Sequence, residues 1–349
     1  MADCPNCALP VGEGDRFCES CGAEVTVDSG RLSSRSTAYN CGSCGGTVGG
    51  HGYCDACGRR QPVGRDRCEL DLGTVAAVTD VGRHRARNED AIAVGVVRGH
   101  RVAVVCDGVS SSPNADAAAH AAADAALDTL LRLLADGTAA EAATVAAFRA
   151  AERAVATLDR SGAGDAPACT FVSAVVTGER TVTIGWAGDS RAYWWADGGP
   201  ETARCLTVDD SLAGQLGAAG VDPSRLSLSA DAFGLTRWLG ADAPSGDPHL
   251  VTFSPPGDGA VVLCSDGLSR YLPTPDALAH PFGGTAGPAR TVANRLTSYA
   301  LDAGGADNIA VAVLPVPVPH RRGEREQIHD HPDPDGSTEG AEIERSDRT

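Results

Sequence analysis

The stretch Cys169–Asp197, CTFVSAVVTGERTVTIGWAGDSRAYWWAD, decides the fold class of this 349-residue chain. Apolar runs alternate in it with two short polar turns, TGER at 177–180 and GDSR at 188–191. The first turn predicts a β-hairpin, and the run after the second turn continues it as a meander. Further apolar runs occur at 101–108, 260–267 and 308–316.

Helical spacing appears in other parts of the chain. An alanine-rich region over 114–159, broken near 135–138, predicts two consecutive helices, the first capped by Asn114. Further helices are predicted near 209–219, 275–280 and 286–302. Strands in runs and helices in pairs predict an α+β layered domain rather than a doubly wound βαβ series.

The N-terminal segment contains eight of the 13 cysteines, in four Cys-x-x-Cys pairs separated at their centre by a polar spacer between Gly22 and Asn40. The pairs are Cys4 and Cys7, Cys18 and Cys21, Cys41 and Cys44, and Cys54 and Cys57. Two such turns supply four thiolates in a tetrahedron, which suits Zn²⁺. Residues 1–60 are therefore predicted to be a double zinc ribbon holding two structural zinc ions. A redox role for these pairs needs a thioredoxin-like βαβ context, which the sequence lacks. His51 is either a substitute ligand or a surface histidine.

Composition limits the partners and the compartment. The net charge of −17 argues against a nucleic-acid partner, because phosphate contact needs a basic surface. The N-terminus does not resemble a signal peptide, and no apolar run is long enough to predict a membrane span. We therefore expect a cytoplasmic protein, where clustered thiols favour metal over disulfides. We expect a linker over 61–72, the main domain over 73–315 and a disordered acidic tail over 316–349.

Acidic residues stand where apolar strands begin or end. Asp107 and Asp266 end strands, Asp307 and the pair Glu89–Asp90 precede strands, and Asp189 lies in the GDSR bend. Carboxylates beside buried strands are costly unless they are paired or bind a metal. Their convergence would create a site for hard cations, Mg²⁺ or Mn²⁺. Neither a Gly-x-Ser-x-Gly elbow nor a Gly-x-x-x-x-Gly-Lys loop is present, so serine-hydrolase and P-loop chemistry are excluded.

Eight motifs occur in order between Thr74 and Leu314: RARNEDA, VVCDGV, ACTFVSAVV, GDSR, LTVDDS, LTRWLG, LCSDGL and ADNIAV. In this order they resemble the PPM family (type 2C) of metal-dependent Ser/Thr protein phosphatases, in its bacterial form. The resemblance implies a four-layer α-β-β-α sandwich, two antiparallel sheets flanked by helix pairs, here preceded by the small Cys4 zinc-ribbon modules. It also implies hydrolysis of phosphoserine and phosphothreonine by a metal-activated water at a dinuclear Mn²⁺ or Mg²⁺ centre.

The resemblance also implies metal ligands. Asp107 corresponds to the carboxylate that bridges both ions, and the Gly108 carbonyl to a ligand of the second ion. Asp266 and Asp307 correspond to the remaining ligands of the first ion. Asp189 corresponds to a carboxylate that helps a third, weaker ion; a structural turn residue is the alternative.

The RARNEDA motif supplies the remaining candidates. Arg85 corresponds to the arginine that grips the substrate phosphate, with Arg83 and Arg87 as competitors. Glu89 corresponds to an acid near the second ion that acts through water, and Asp90 is its neighbour. Arg191, in the GDSR turn, is expected to pair with a carboxylate and support the turn.

The chain departs from the family at Val109, where eukaryotic members have a histidine proposed as general acid. The leaving group must therefore take its proton from water or another group. We expect an active enzyme acting on phosphorylated proteins, in opposition to a Ser/Thr kinase, with the ribbons as docking element. The alternative is a weak or inactive scaffold whose ribbons bind a protein or nucleic-acid partner.

Overall fold

The computed structural model describes the phosphatase-like motifs almost in full and the N-terminal segment in part. The described residues are 2–3, 10–11, 29–34, 56–57, 66–158, 166–178, 180–196, 203–221, 230–272, 274–278, 281 and 287–316. All of them belong to one unit, Met1–Pro317. No helix among these residues is long and apolar enough to cross a membrane.

Sixteen strands and five α-helices are found in the described residues. The strands are β1 Ala2–Asp3, β2 Pro10–Val11, β3 Ser29–Ser33, β4 Arg67–Asp71, β5 Ala76–Asp80, β6 Ala91–Val97, β7 His100–Cys106, β8 Ala168–Cys169, β9 Phe171–Val176, β10 Val182–Ala187, β11 Arg191–Ala196, β12 Arg204–Cys205, β13 Leu239–Gly240, β14 His249–Phe253, β15 Gly259–Cys264 and β16 Ile309–Val316. The helices are α1 Ala115–Ala135, α2 Ala140–Ala156, α3 Leu212–Ala218, α4 Asp266–Ser269 and α5 Ala289–Asp302.

Two six-stranded antiparallel sheets form the centre of the domain. The first has the order β14-β10-β9-β7-β6-β3, and the second has the order β12-β11-β15-β16-β5-β4. The quoted hairpin is β9 and β10, and β11 crosses into the second sheet beside β15. The GDSR turn is therefore the place where the meander passes from one sheet to the other.

Strand periodicity explains why both faces of each sheet are buried. Along β7, Val102 and Val104 pack on the helix side, whereas Ala103 and Val105 pack on the second sheet. Alternate side chains of a strand point to opposite faces, so both faces must be apolar when both are covered. The near-continuous Val and Ala runs of the sequence follow from this.

Helices cover the outer faces, as the layered α+β prediction requires. α1 and α2 pack on the first sheet, and α5 packs on the second together with the short α4. The predicted helix at 275–280 is instead a 3-10 turn, Pro275–Leu278. Asn114 lies at the start of α1 but makes no side-chain capping bond, because its backbone is left-handed (φ 52°) rather than extended.

Several strands lie in ranges to which the sequence assigned no strand, among them β12, β13 and β14 and two strands before the main domain. β3 falls within the spacer between Gly22 and Asn40, and β4 falls within the predicted linker. β3 escapes periodicity analysis because an edge strand of five residues, SGRLS, needs only one inward apolar side chain, that of Leu32. Of the predicted ribbons, β1 and β2 pair antiparallel on either side of the first Cys-x-x-Cys. Seven of the eight ribbon cysteines and residues 317–349 lie outside the described residues.

Candidate metal and phosphate site

The first sheet brings two of the predicted acids together. Asp90 directly precedes β6, and Asp107 directly follows β7. The register pairs Ala91 with Cys106, so the two aspartates are neighbours at the same end of adjacent strands. Glu89 lies one residue further out, and its carbonyl accepts a hydrogen bond from the Gly108 N–H at 3.2 Å.

The second sheet contributes two more acids at the same end. Asp266 begins α4 two residues after the end of β15, and Asp307 stands two residues before β16. Cys264 pairs with Val311 in these antiparallel strands, so both aspartates lie at the same end of the strand pair. Residues more than 200 positions apart in the sequence thus meet at one end of the sandwich.

Mutual repulsion shows that these carboxylates form one cluster. Burial raises the pKa of Asp107 well above its usual range, and the charges of Asp90, Asp266, Asp189 and Asp307 raise it further. Burial and the charge of Asp266 raise the pKa of Asp90 to about 8, despite a hydrogen bond from Ser265, and the pKa of Asp189 to about 7. The pKa of Asp266 is also raised, by burial and by Asp307. A cluster of this kind is unfavourable without a counter-charge.

Two arginines provide part of that counter-charge on the side of the second sheet. Arg85 Nη2 donates to Asp307 Oδ2 at 2.7 Å. Arg270 Nη2 donates to Asp266 Oδ2 at 3.0 Å and lies 3.7 Å from Asp307 Oδ2. The pKa of Arg85 is raised, chiefly by its hydrogen bond to Asp307.

The geometry distinguishes Arg85 from its two competitors. Arg83 lies 3.6 Å from Asp302 at the end of α5, and Arg87 lies 3.4 Å from Asp116 on α1. Both guanidinium groups therefore point away from the acid cluster. Arg85 alone of the three contacts it, with its side chain 36 % exposed, which leaves a face open to solvent.

A hydroxyl connects Arg85 to Glu89. Arg85 Nη1 donates to Ser110 Oγ at 3.1 Å, and Ser110 Oγ donates to Glu89 Oε2 at 3.0 Å. Ser110 belongs to the loop after Gly108 whose role the sequence left undefined. The loop supplies a polar bridge that orients the guanidinium group.

Gly108 has no space for a side chain. A Cβ atom there would lie 2.7 Å from the Ala115 carbonyl oxygen and 2.8 Å from that of Glu89. These contacts are with backbone, which cannot move aside cheaply. Only glycine lets the chain leave β7, contact the start of α1 and pair with Cys169.

The GDSR turn is supported by two neighbouring acids. Arg191 grips Asp209 with two hydrogen bonds, of 2.9 and 2.7 Å, which confirms that it supports the turn. Gly188, at φ 107°, donates its N–H to Asp210 Oδ2 at 2.9 Å. Asp189 lies between these two anchored residues, and Arg191 lines the same cavity as Asp189 and Asp266.

Two further polar residues order the acids, and sequence reasoning missed their roles. Ser265 Oγ donates to Asp90 Oδ2 at 2.7 Å and accepts from the Ala310 N–H at 2.9 Å. The Asn308 side chain accepts from the Glu89 N–H at 2.9 Å and donates to two carbonyls. The available signal was that each stands directly before or after a candidate ligand.

The chemistry of the donor set fits a hard divalent cation. Asp90 Oδ1 is buried and has no hydrogen-bond partner among the described residues. All candidate ligands are oxygens, the donors that Mn²⁺ and Mg²⁺ prefer. Within the described ranges, however, no three acid, histidine or cysteine side chains converge as a formed metal site would. Arginine contacts occupy Asp266 and Asp307 instead.

A cavity opens beside the cluster. It has a volume of about 530 Å³, and its walls include Asp189, Asp266, Ser269 and Arg270. Phe233, whose surface is 59 % exposed, forms part of the rim. A phosphorylated side chain could reach the acids from this side.

The two cysteines that precede the metal-ligand candidates are not candidates for catalysis. Cys106 and Cys264 precede the metal-ligand candidates but are fully buried. Burial raises the pKa of the Cys106 thiol well above its usual range, with Cys169 beside it. The thiolate form that reacts with oxidants is therefore suppressed.

Comparison with known proteins assigns the family. The family model described as Protein phosphatase 2C matches residues 82–300. The serine/threonine phosphatase PstP/Ppp of Mycobacterium tuberculosis has 24% identity and a TM-score of 0.56, over 70% of this chain and 98% of that one. Stp1 of Staphylococcus aureus has 23% identity and a TM-score of 0.58, over 71% and 98%. No curated protein matches the chain.

A third solved structure bears on the metals. The catalytic domain of PstP in complex with two manganese ions has 24% identity and a TM-score of 0.53, over 70% of this chain and 98% of that one. The family match spans more than half of the chain, so the chain belongs to the protein phosphatase 2C family and is a protein phosphatase. The match begins after the cysteine-rich segment and does not include it.

Proposed function

We propose that the chain hydrolyses phosphoserine and phosphothreonine on proteins at a dinuclear Mn²⁺ or Mg²⁺ centre. The observation that carries this is the meeting of Asp90, Asp107, Asp189, Asp266 and Asp307 at one end of the sandwich, with Arg85 beside them. Membership of the phosphatase family and the manganese in a related structure support it.

Each acid has a proposed place in the centre. Asp107, Asp266 and Asp307 would hold one cation, and Asp107 with the Gly108 carbonyl would hold the other, with Glu89 contributing through water. Asp189 belongs to a third, weaker site. When bound, such cations supply Lewis-acid activation of the attacking water and neutralise charge on the phosphoryl oxygens.

Arg85 is proposed to bind the substrate phosphate. A guanidinium fork fits phosphate oxygens with two parallel hydrogen bonds. Its Nη2 now donates to Asp307 Oδ2, a group that a cation would also contact. Competition between the cation and the guanidinium for this carboxylate would release Nη2 for phosphate, while Ser110 keeps the other arm in place.

Val109 has no proton to give to the leaving group. The serine or threonine alkoxide therefore takes its proton from water or from another group at the site. The exposed loop serines beside Val109 make water access to this position straightforward.

Turnover of a phosphothreonine peptide with Mn²⁺ tests the proposal. Arg85→Ala should lower kcat/KM about ten- to hundredfold, the effect of losing charge-assisted hydrogen bonds. Arg87→Ala is the matched control, because Arg87 stands two residues away and contacts α1 instead. Equal effects of both substitutions, or no turnover in the unaltered chain, would overturn the assignment. Mn²⁺ binding measured by calorimetry provides a readout separate from activity.

For the N-terminal segment we propose two Cys4 zinc ribbons within 1–60. A linker over 61–72, the phosphatase domain over 73–315 and an acidic tail over 316–349 follow. The spacing of the eight cysteines supports this, as does the pairing of β1 with β2 around Cys4 and Cys7. The proposed role of the ribbons is docking of phosphoprotein substrates or of the Ser/Thr kinase whose action the enzyme opposes. Two zinc ions retained through dialysis are expected; none would refute the ribbons.

A further inference from the structure

β3 connects the cysteine-rich segment to the phosphatase sheet. Its residues pair antiparallel with β6, from Ser29 opposite Val97 to Ser33 opposite Ala93. β3 lies far before residue 82, where the family match begins, so it is an addition to the matched region. Without it β6 would be the edge of the sheet and would expose unpaired backbone groups.

The side chains of β3 contact both faces of this edge. Arg31 Nε donates to Asp128 Oδ1 at 2.5 Å, and its Nη2 donates to Asp124 Oδ1 at 3.4 Å, both on α1. Leu32, pointing the opposite way, packs on the core between the sheets. The alternation fixes the register of β3, because a slip by one residue would exchange the two faces.

The end of β3 reaches the segment that carries the catalytic candidates. The Ser34 N–H donates to the Ile92 carbonyl at 2.9 Å, and Ser34 Oγ accepts from the Ile92 N–H at 3.2 Å. Ser34 Oγ also lies 3.3 Å from His120 Nδ1 on α1. Ile92 is the second residue of β6 and stands two residues after Asp90, so this buried contact holds the start of the strand that follows the acid.

We propose that the pairing of β3 with β6 couples the cysteine-rich segment of the same chain to Glu89 and Asp90, which directly precede β6. Cys21 lies eight residues before Ser29, and Cys41 lies eight residues after Ser33. Residues 29–34, which lie between the second and third cysteine pairs, are therefore anchored to the catalytic domain. The effect on turnover rests on the proposed function; the strand pairing does not.

Hydrogen exchange on the full chain tests the pairing. In the variant Arg31→Glu with Ser34→Ala, the amides of 91–97 should exchange about tenfold faster or more. The Ile92 N–H loses its acceptor Ser34 Oγ, and a glutamate at position 31 is repelled by Asp124 and Asp128. Amides of α5 should not change. Arg149→Glu is the matched control, because it breaks a comparably exposed ion pair with Asp247, elsewhere in the same domain. Unchanged exchange at 91–97 would overturn the proposal.

Two further measurements separate the possible outcomes. Asp128→Arg added to Arg31→Glu should restore protection of 91–97, which a merely misfolded variant would not allow. The Mn²⁺ concentration for half-maximal turnover should rise in the first variant; faster exchange with an unchanged metal requirement overturns the coupling. If protection of 91–97 depends on protein concentration, β6 pairs with β3 of a second copy of the chain, and the pairing within one chain is overturned. Absence of turnover in the unaltered chain would refute the proposed function and leave the exchange result standing.

Discussion

The two sheets bring their acids to the site in different states. Asp90, on the first sheet, is 1 % exposed and has no arginine partner among the described residues. Neighbouring Asp107 is partly buried, and the other acids of the cluster repel its charge. On the second sheet, Asp266 and Asp307 each contact an arginine. The first pair therefore depends on protons or cations for neutrality, whereas the second pair already has counter-charges. We therefore expect that the acids of the first sheet make a bound cation necessary, and that the arginine contacts of the second sheet adjust the affinity of the site for that cation.

The largest effect is expected from Asp107→Asn. Turnover with Mn²⁺ should fall about a thousandfold or more, which corresponds to about 4 kcal/mol of transition-state stabilisation. In EDTA the same variant should melt at a higher temperature than the unaltered chain, because a neutral amide replaces a carboxyl whose pKa is raised by burial and by four neighbouring acids. Asp302→Asn, a substitution on the surface, is the control for both measurements. Retained turnover would show that the first sheet does not hold the essential acid.

The second prediction concerns pH and the metal-free protein. The pKa of Asp90 is raised from 3.8 to about 8 in the folded chain, so the folded state keeps a proton that the unfolded state releases. Stability is therefore greatest below pH 4 as far as this group is concerned, and declines as the pH rises toward 8, by up to about 1.4 kcal/mol per pH unit. Asp189 acts in the same direction up to about pH 7.

Urea unfolding in EDTA at several pH values measures this decline. Asp90→Asn should flatten the profile, and added Mn²⁺ should reverse it, since a cation replaces the proton. A profile that rises between pH 5 and 8 would contradict the protonated state of the cluster.

Sequence reasoning correctly predicted which of the candidate acids stand at strand ends. Acids next to long apolar runs were identifiable because the run predicts the strand and the strand end predicts the position. The partners of those acids were not. Ser265, Asn308 and Arg270 become visible only when strand register brings distant segments together, since a serine or an arginine near a strand end has no pattern of its own. β3 was missed for a related reason, because a polar edge strand gives no apolar periodicity.

The third prediction contrasts two arginines for which the sequence predicts different roles, phosphate binding for Arg85 and support of the GDSR turn for Arg191. Arg191 is 26 % exposed and is bound in a fork to Asp209, whereas Arg85 faces solvent and the acids. Arg191→Ala should lower the free energy of unfolding by about 2 kcal/mol, because a half-buried carboxylate loses both partners. KM for the phosphopeptide should change little. Denaturant titration beside steady-state kinetics checks both, and a KM increase like that of Arg85→Ala would place Arg191 in the phosphate site.

The smallest effect is expected at Arg270, and it addresses the second sheet directly. Its guanidinium group, 49 % exposed, pairs with Asp266 and so competes with a cation for the same oxygen. An exposed ion pair is worth about 0–1 kcal/mol, so Arg270→Ala should lower the half-maximal Mn²⁺ concentration by up to about fivefold. Calorimetric titration of Mn²⁺ measures the shift. Weaker Mn²⁺ binding would mean that Arg270 orders Asp266 for the cation rather than opposing it, and that the two sheets do not differ in the way their charges imply.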